Sequence, residues 1–164
     1  ENNKKEMYTL ELLFELMDGS NSSRFTRNLI DKKQTAINTF ISYDTYSRKE
    51  NLITLGGSPR KGIPPNQFRE EILNEFQEFV NSGLEDGELE QVKSRLLANN
   101  IYKFDSVFYQ VMQVGMLETK NYNWRLLDSY IEDINSINED DLKNTAKNFI
   151  LNKKHLYSLI EPKS

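Results

Sequence analysis

The stretch "MDGSNSSRFTRNLI" (residues 17–30) ends one apolar helical pattern and begins another within a few polar residues. Upstream of it, from Tyr8, the positions Leu10, Leu12, Leu13, Leu16 and Met17 recur at helical spacing. Gly19 follows them where a C′ glycine stops a helix. Ser22 or Ser23 then stands where an N-cap opens a second helix over residues 24–32, with Phe25, Leu29 and Ile30 facing inward. Residues 18–22 are therefore expected to form a corner between two helices.

Downstream, "TAINTFISYDTYS" (35–47) changes period. Ile37, Thr39, Ile41 and Tyr43 alternate with Ala36 and Asn38, and Thr, Ile, Phe and Tyr suit a strand. "NLITLGGSP" (51–59) reads as a second strand ended by Gly56-Gly57-Ser58-Pro59. The polar link over 44–50 makes the two an antiparallel hairpin with a long turn. Pro64-Pro65 opens a helix with Phe68, Ile72, Phe76, Phe79 and Val80 on one stripe, ending at Gly83.

A further helical stretch spans about 87–118, with Leu89, Val92, Leu96, Val107, Phe108, Val111 and Met112 as its expected buried side and a break expected near 99–105. A short helix is expected over 122–134. Another starts at Asn138, with Asp141 at N3 in a capping-box arrangement. "HLYSLIEP" (155–162) closes as a strand ended by Pro162. Few strands among many helices point to an α+β fold of two layers, helices packed on a mainly antiparallel sheet. Three strands are thin for such a sheet, and further strands are expected before residue 1. Residues 1–164 fit one domain, since this length supports a core of its own.

Composition removes several classes of function. A net charge of −4 with no basic stripe argues against nucleic acid and against anionic membrane as partners. There is no apolar run long enough to span a bilayer. The absence of cysteine excludes disulfides, thiolate zinc sites and cysteine nucleophiles from these residues. The single histidine, His155, cannot make a two-histidine zinc site and is read as a strand-end histidine. Gly56-Gly57 reads as turn chemistry, with no phosphate loop or Gly-x-Ser-x-Gly elbow anywhere. Glu70, Glu71, Glu75 and Glu78 are placed on a solvated helix face, and "LEDGELE" (84–90) reads as a helix start whose acids suit the macrodipole. Tyr102, Phe104, Phe108 and Tyr109 recur at helical spacing and are read as core. On residues alone, this is an α+β domain without a catalytic centre of its own.

Taken together, the segments resemble a known family. "LELLFELMDGSNSSRFTRNLIDKKQTA" (10–36) is similar to the helix, glycine-rich corner and Ser-Ser-Arg-Leu helix of the pitrilysin-like M16 metallopeptidases, the insulinase and mitochondrial-processing type. "ISYDTYSRKENLITLGGSPRKG" (41–62) resembles the strand pair that follows. "GLEDGELEQVKSRLLANNIYKFDS" (83–106) resembles the family's Gly-x-x-x-x-Glu-Leu-x-x-x-Lys helix, "INSINEDDLKNTAKNFI" (134–150) its late Ile-x-x-Asp-Leu helix and "LYSLIEP" (156–162) its closing strand.

The resemblance implies a division of labour. In this family one domain holds zinc on His-x-x-Glu-His, and a second, inactive domain faces it across a chamber and helps hold the peptide. This chain looks like the second, C-terminal domain. The resemblance thus implies no cofactor in this chain and zinc in a partner catalytic M16-type domain of the same chain or a homologous subunit. It implies an unfolded peptide as substrate. Ser22, Ser23, Arg24 and Arg27 are the candidate peptide-chamber contacts, Arg24 having a corner-anchoring role as its alternative. The Arg and Tyr that many members place in this segment are Ile30 and Ile37 here, which removes two hydrogen-bonding groups and keeps open a scaffolding pseudo-peptidase without hydrolytic activity. An exposed apolar surface is expected where the companion domain docks, and isolated copies could pair through it as a homodimer. For a bacterial source, resemblance to envelope-associated members suggests the periplasm or cell envelope.

Overall fold

The computed structural model describes residues 2–47, 51–104 and 106–160, the side chains of 2–3 and 101–104 excepted. The expected roles of Glu50 in the turn, Tyr102 and Phe104 in the core, Asp105 in the helix break and Pro162 at the closing strand lie outside that description. Helices α1 (Asn2–Asp18), α2 (Pro65–Ser82), α3 (Glu88–Phe104), α4 (Val107–Thr119), α5 (Tyr130–Ser136) and α6 (Glu139–Thr145) pack with strands β1 (Ala36–Ser42) and β2 (Thr54–Pro59) in an α+β arrangement. π-helical turns occupy Thr26–Lys32 and Ala146–Leu151, and a 3-10 turn occupies Trp124–Leu127.

Helix α1 is the hub of the core. Tyr8, Leu12, Leu13, Leu16 and Met17 are fully buried, and the helix touches β1, α3, α5 and α6. Each such side chain contributes roughly 1.5–3 kcal/mol of hydrophobic stabilisation when taken fully from water. Edge-to-face ring pairs lock the packing, Tyr8 on Tyr130 at 5.0 Å and Phe25 on Phe76 at 5.6 Å.

The hairpin forms antiparallel, as its alternation suggests, but with an irregularity between Ala36 and Asn38. The extra residue is Ile37. A bulge switches the side-chain phase by one position. Ala36 therefore enters the core while Ile37, the first apolar residue of the alternation, stands 60% exposed. In the link, the Asp44 carboxylate accepts the Tyr46 N–H at 3.2 Å and the Asp44 carbonyl accepts the Ser47 N–H at 3.1 Å, a side-chain-assisted turn.

Other local signals hold. Gly83 ends α2 at φ +81°. α4 begins at Val107, where the Ser106 hydroxyl accepts the Tyr109 N–H and caps the helix. Asn138 and Asp141 form the reciprocal capping box at α6.

Five expectations are corrected. Residues 154–160 form no strand among the described residues, so the sheet described has two strands rather than three; strand propensity without a neighbouring strand makes no ladder. The short helix expected over 122–134 is divided into the 3-10 turn and α5. Val107, Phe108, Val111 and Met112 are exposed, because helical periodicity identifies an apolar face without saying whether anything covers it. Glu75 is buried at 1% exposure rather than solvated, bonded to the Asn28 amide and the Lys33 ammonium, each at 2.6 Å. Gly19 is not left-handed; a Cβ there would strike the Glu15 carboxylate, so the glycine makes room for a side chain.

Candidate functional site: the serine corner and its arginine clamp

The corner between α1 and the following helical turn is held by three arginines reaching from two directions. Its own hydrogen bonds come first. The Ser20 hydroxyl accepts the Ser22 N–H at 3.2 Å, and the Ser23 hydroxyl donates to the Ser20 carbonyl at 2.6 Å. Ser23 is thus a donor into the corner, not the N-cap acceptor its position suggests. The helical turn is anchored instead by its backbone, with the Arg27 N–H on the Ser23 carbonyl at 3.0 Å.

Arg24 points inward and is only 7% exposed. Its Nε donates to Glu88 Oε1 at 3.0 Å, its Nη2 donates to the Gly83 carbonyl at 2.8 Å and to Glu88 Oε2, and its guanidinium lies 5.1 Å from the Phe79 ring. A planar fork suits this task because it satisfies a carboxylate, a helix-end carbonyl and a ring face together. Glu88 is in turn pinned by the Glu85 N–H at 3.0 Å. Its position at the start of α3 also places its negative charge against the positive helix end.

Arg27 lies one turn further out. It donates to Glu85 Oε2 at 2.8 Å and to Glu88 Oε1 at 3.0 Å. The hydrogen bond from Arg27 holds the Glu85 carboxyl below its ordinary range, and the same bond raises Arg27. From α3, Arg95 donates to Glu15 Oε1 at 2.6 Å, to the Glu15 carbonyl at 3.3 Å and to Ser22 Oγ at 3.3 Å. A cation on this carbonyl in the last turn of α1 complements the helix end.

The structure therefore gathers all four sequence candidates, in two different environments. Ser22, Ser23 and Arg27 border a polar cleft of about 210 Å³ together with Asp86, Gln91 and Arg95. Arg24 lies behind it as the clamp. Ile30 packs on the core, and Ile37 stands on the bulge of β1. Sequence reasoning missed Glu15, Glu88 and Arg95. The available signal was phase: Glu88 and Arg95 share a helix face with the buried Val92 and Leu96, and Glu15 shares one with Leu12 and Leu16. A charge on an apolar stripe announces a buried partner.

The cleft presents hydroxyl, guanidinium and carboxylate groups on one polar surface. Its serines are engaged with backbone, another hydroxyl and an arginine, and no histidine stands beside them. His155 is elsewhere, with its Nε2 2.8 Å from the Ile150 carbonyl oxygen. No cluster of three or more His, Cys, Asp or Glu able to hold a metal ion occurs among the described residues. A zinc ion does not fit this chain's described side chains.

Comparison with known proteins bears on this geometry. The peptidase M16 inactive-domain family model matches residues 1–96, which include the corner, the hairpin, Glu88 and Arg95. YmxG, an uncharacterized zinc protease of Bacillus subtilis strain 168, is 22% identical over 158 residues, covering 96% of this chain and 38% of its own length. Among solved structures, a protease from Helicobacter pylori aligns at TM-score 0.75 and 20% identity over 87% of this chain and 34% of that one. An inactive peptidase domain from Bordetella parapertussis aligns at TM-score 0.75 and 15% identity over 87% of this chain and 76% of that one. The chain thus spans well under half of the Bacillus relative, and the structural likenesses establish a shared fold.

Proposed function

This chain belongs to the peptidase M16 inactive-domain family, and from that premise we propose that residues 1–164 act as the single, C-terminal, non-catalytic domain of a zinc metallopeptidase, forming one wall of its peptide-binding chamber. The observation that carries the reading is the family match over the stretch that builds the corner, together with the architecture of that stretch: a rigid polar corner clamped from behind, with no hydrolytic group in it. Peptide-bond hydrolysis is assigned to a companion domain bearing His-x-x-Glu-His and zinc, and none of its steps passes through this chain's residues.

In this reading Ser22 and Arg27 meet the peptide at the cleft, while Ser23 and Arg24 position the corner. The substrate is an unfolded polypeptide held in extended form by backbone hydrogen bonds and shallow apolar contacts. The test is cleavage of a quenched unfolded peptide by the zinc-loaded companion domain, with and without this chain. Cleavage that rises when the chain is present supports the chamber role. Cleavage that ignores it contradicts that role.

One observation favours a second reading, a scaffolding pseudo-peptidase. Ile30 and Ile37 occupy the positions where the family resemblance places an Arg and a Tyr, and neither can hydrogen-bond a peptide through its side chain. If the full-length protein, supplied with zinc, leaves every unfolded peptide tested intact, the scaffold reading replaces the first.

A further inference from the structure

The geometry points to the outer face of α4 as the surface on which another part of the full-length protein packs; this rests on the inactive-domain reading and says where the companion sits. α4 has one charged residue, Glu118, and only Leu117 is buried. Val107, Phe108, Val111 and Met112 are 73%, 79%, 67% and 47% exposed. Among the described residues, α1, α2 and α3 expose no large apolar side chain. A helix that is apolar on most sides is stable when covered, and a charge-depleted apolar patch has the composition of an interface centre. Such contiguous exposure marks an interaction site.

Beside this ridge lies a cavity of about 290 Å³ between α3, α4, the 3-10 turn and α5. Leu97, Val114, Leu127 and Ile131 line it, with Trp124 alongside. Gln110 and Val114 bring α4 to the lining of this hole, which Asn100 and Asp128 also border, and its mainly apolar wall suits a large apolar or aromatic side chain as anchor.

The occupant is a further segment of the same polypeptide, presenting apolar side chains to α4. This chain covers only 38% of the Bacillus relative and 34% of the Helicobacter protein, so these two proteins carry most of their length outside the matched region. A second copy of this chain would be the other way to cover the face.

Thiol labelling of the full-length protein separates these outcomes. Residues 1–164 contain no cysteine, so Phe108→Cys or Val111→Cys introduces a thiol whose labelling mass spectrometry assigns to its own peptide. Gln77→Cys, on the exposed side of α2, is the control. The expected result is labelling at positions 108 and 111 at least about tenfold slower than at 77, unchanged on dilution, with all three equal in denaturant. Labelling at 108 and 111 as fast as at 77 overturns the inference. So does protection that disappears on dilution, which assigns the face to a second copy. The cleavage experiment reads the chamber role separately. An unprotected thiol in the Phe108→Cys variant, with chain-dependent cleavage, refutes this interface alone. A protected thiol in that variant, with chain-independent cleavage, refutes the chamber alone.

Discussion

Arg24 and Glu88, 64 positions apart in the sequence, form a forked ion pair in which both side chains are 9% exposed. This pair ties the serine corner to the start of α3, so the cleft's geometry depends on Arg24, which does not itself line it. Removing Arg24 leaves the buried Glu88 carboxylate held by Arg27 and the Glu85 N–H alone. Arg24→Ala is expected to destabilise the protein by about 1–3 kcal/mol through its lost hydrogen bonds and ring contact, and Arg24→Lys by less, since it keeps the charge and loses the fork. Urea unfolding midpoints check the order. An Arg24→Ala variant as stable as the parent would remove the clamp from the account.

Asp18 has the opposite character. It ends α1, where the macrodipole disfavours an anion, and its carboxyl accepts a hydrogen bond from the Thr39 hydroxyl. Burial raises its pKa above the ordinary carboxylate value, against the lowering effect of the hydrogen bonds from Thr39 and Ile41. A folded-state pKa above the unfolded one stabilises the fold at low pH, and that contribution is lost as pH rises through the folded value. Asp18→Asn keeps an acceptor for Thr39 and removes the charge. It is expected to stabilise by roughly 0.3–1 kcal/mol at neutral pH. The gain should shrink to nothing as pH falls below the unfolded carboxylate pKa of about 3.9, where the parent is also neutral. Thermal melts at the two pH values measure this, and a destabilised variant at neutral pH would show that the charge is compensated.

The adjacent glycines of β2 should respond unequally. A Cβ on Gly57 would lie 2.2 Å from the Asn38 carbonyl oxygen on β1, a backbone atom that moves only with its strand. At Gly56 the obstacle is the Phe40 ring, 2.7 Å away and itself 47% exposed, which can swing aside. Gly57→Ala is expected to cost about 1–3 kcal/mol, the usual range for overpacking, and Gly56→Ala less. Equal losses on thermal unfolding would contradict the difference in what each methyl meets.

Restoring the family's hydrogen-bonding groups separates packing from exposure. Ile37 is on the exposed bulge, so Ile37→Tyr should change stability by no more than about 0.5 kcal/mol. Ile30 packs against the core, so Ile30→Arg should lose packing as well as bury part of a charge, costing about 1–3 kcal/mol. Chemical unfolding of the single variants decides this; an Ile30→Arg variant no less stable than Ile37→Tyr would show that the site is open enough to take an arginine.

What the residues announce follows from the range of the forces involved. The corner after α1, the glycine stop at Gly83 and the Asn138–Asp141 capping box are local, with each partner within a few residues, and they are legible. Long-range pairing is not. The partners of Glu75 lie 42 and 47 residues back, that of Arg95 lies 80 back, and a carboxylate on an amphipathic helix looks solvated until its neighbours are known. The exposure of Ile37 is hidden because a bulge leaves no mark in an alternating sequence. The apolar positions of α4 and of 155–160 look like covered ones, when composition records only that they are apolar. The corner spacing brings forward Ser22, Ser23, Arg24 and Arg27 together, but which of them faces the cleft is decided by a glutamate on another helix.

In the proposed role this domain lends shape to proteolysis and makes no metal centre of its own. The most direct measurement is the zinc content of folded residues 1–164 after equilibration with the metal and removal of excess, with circular dichroism showing the helices intact. The expected result is far less than one zinc per chain and no cleavage of an unfolded peptide. One tightly held zinc per folded chain, bound by its own side chains, would contradict the account.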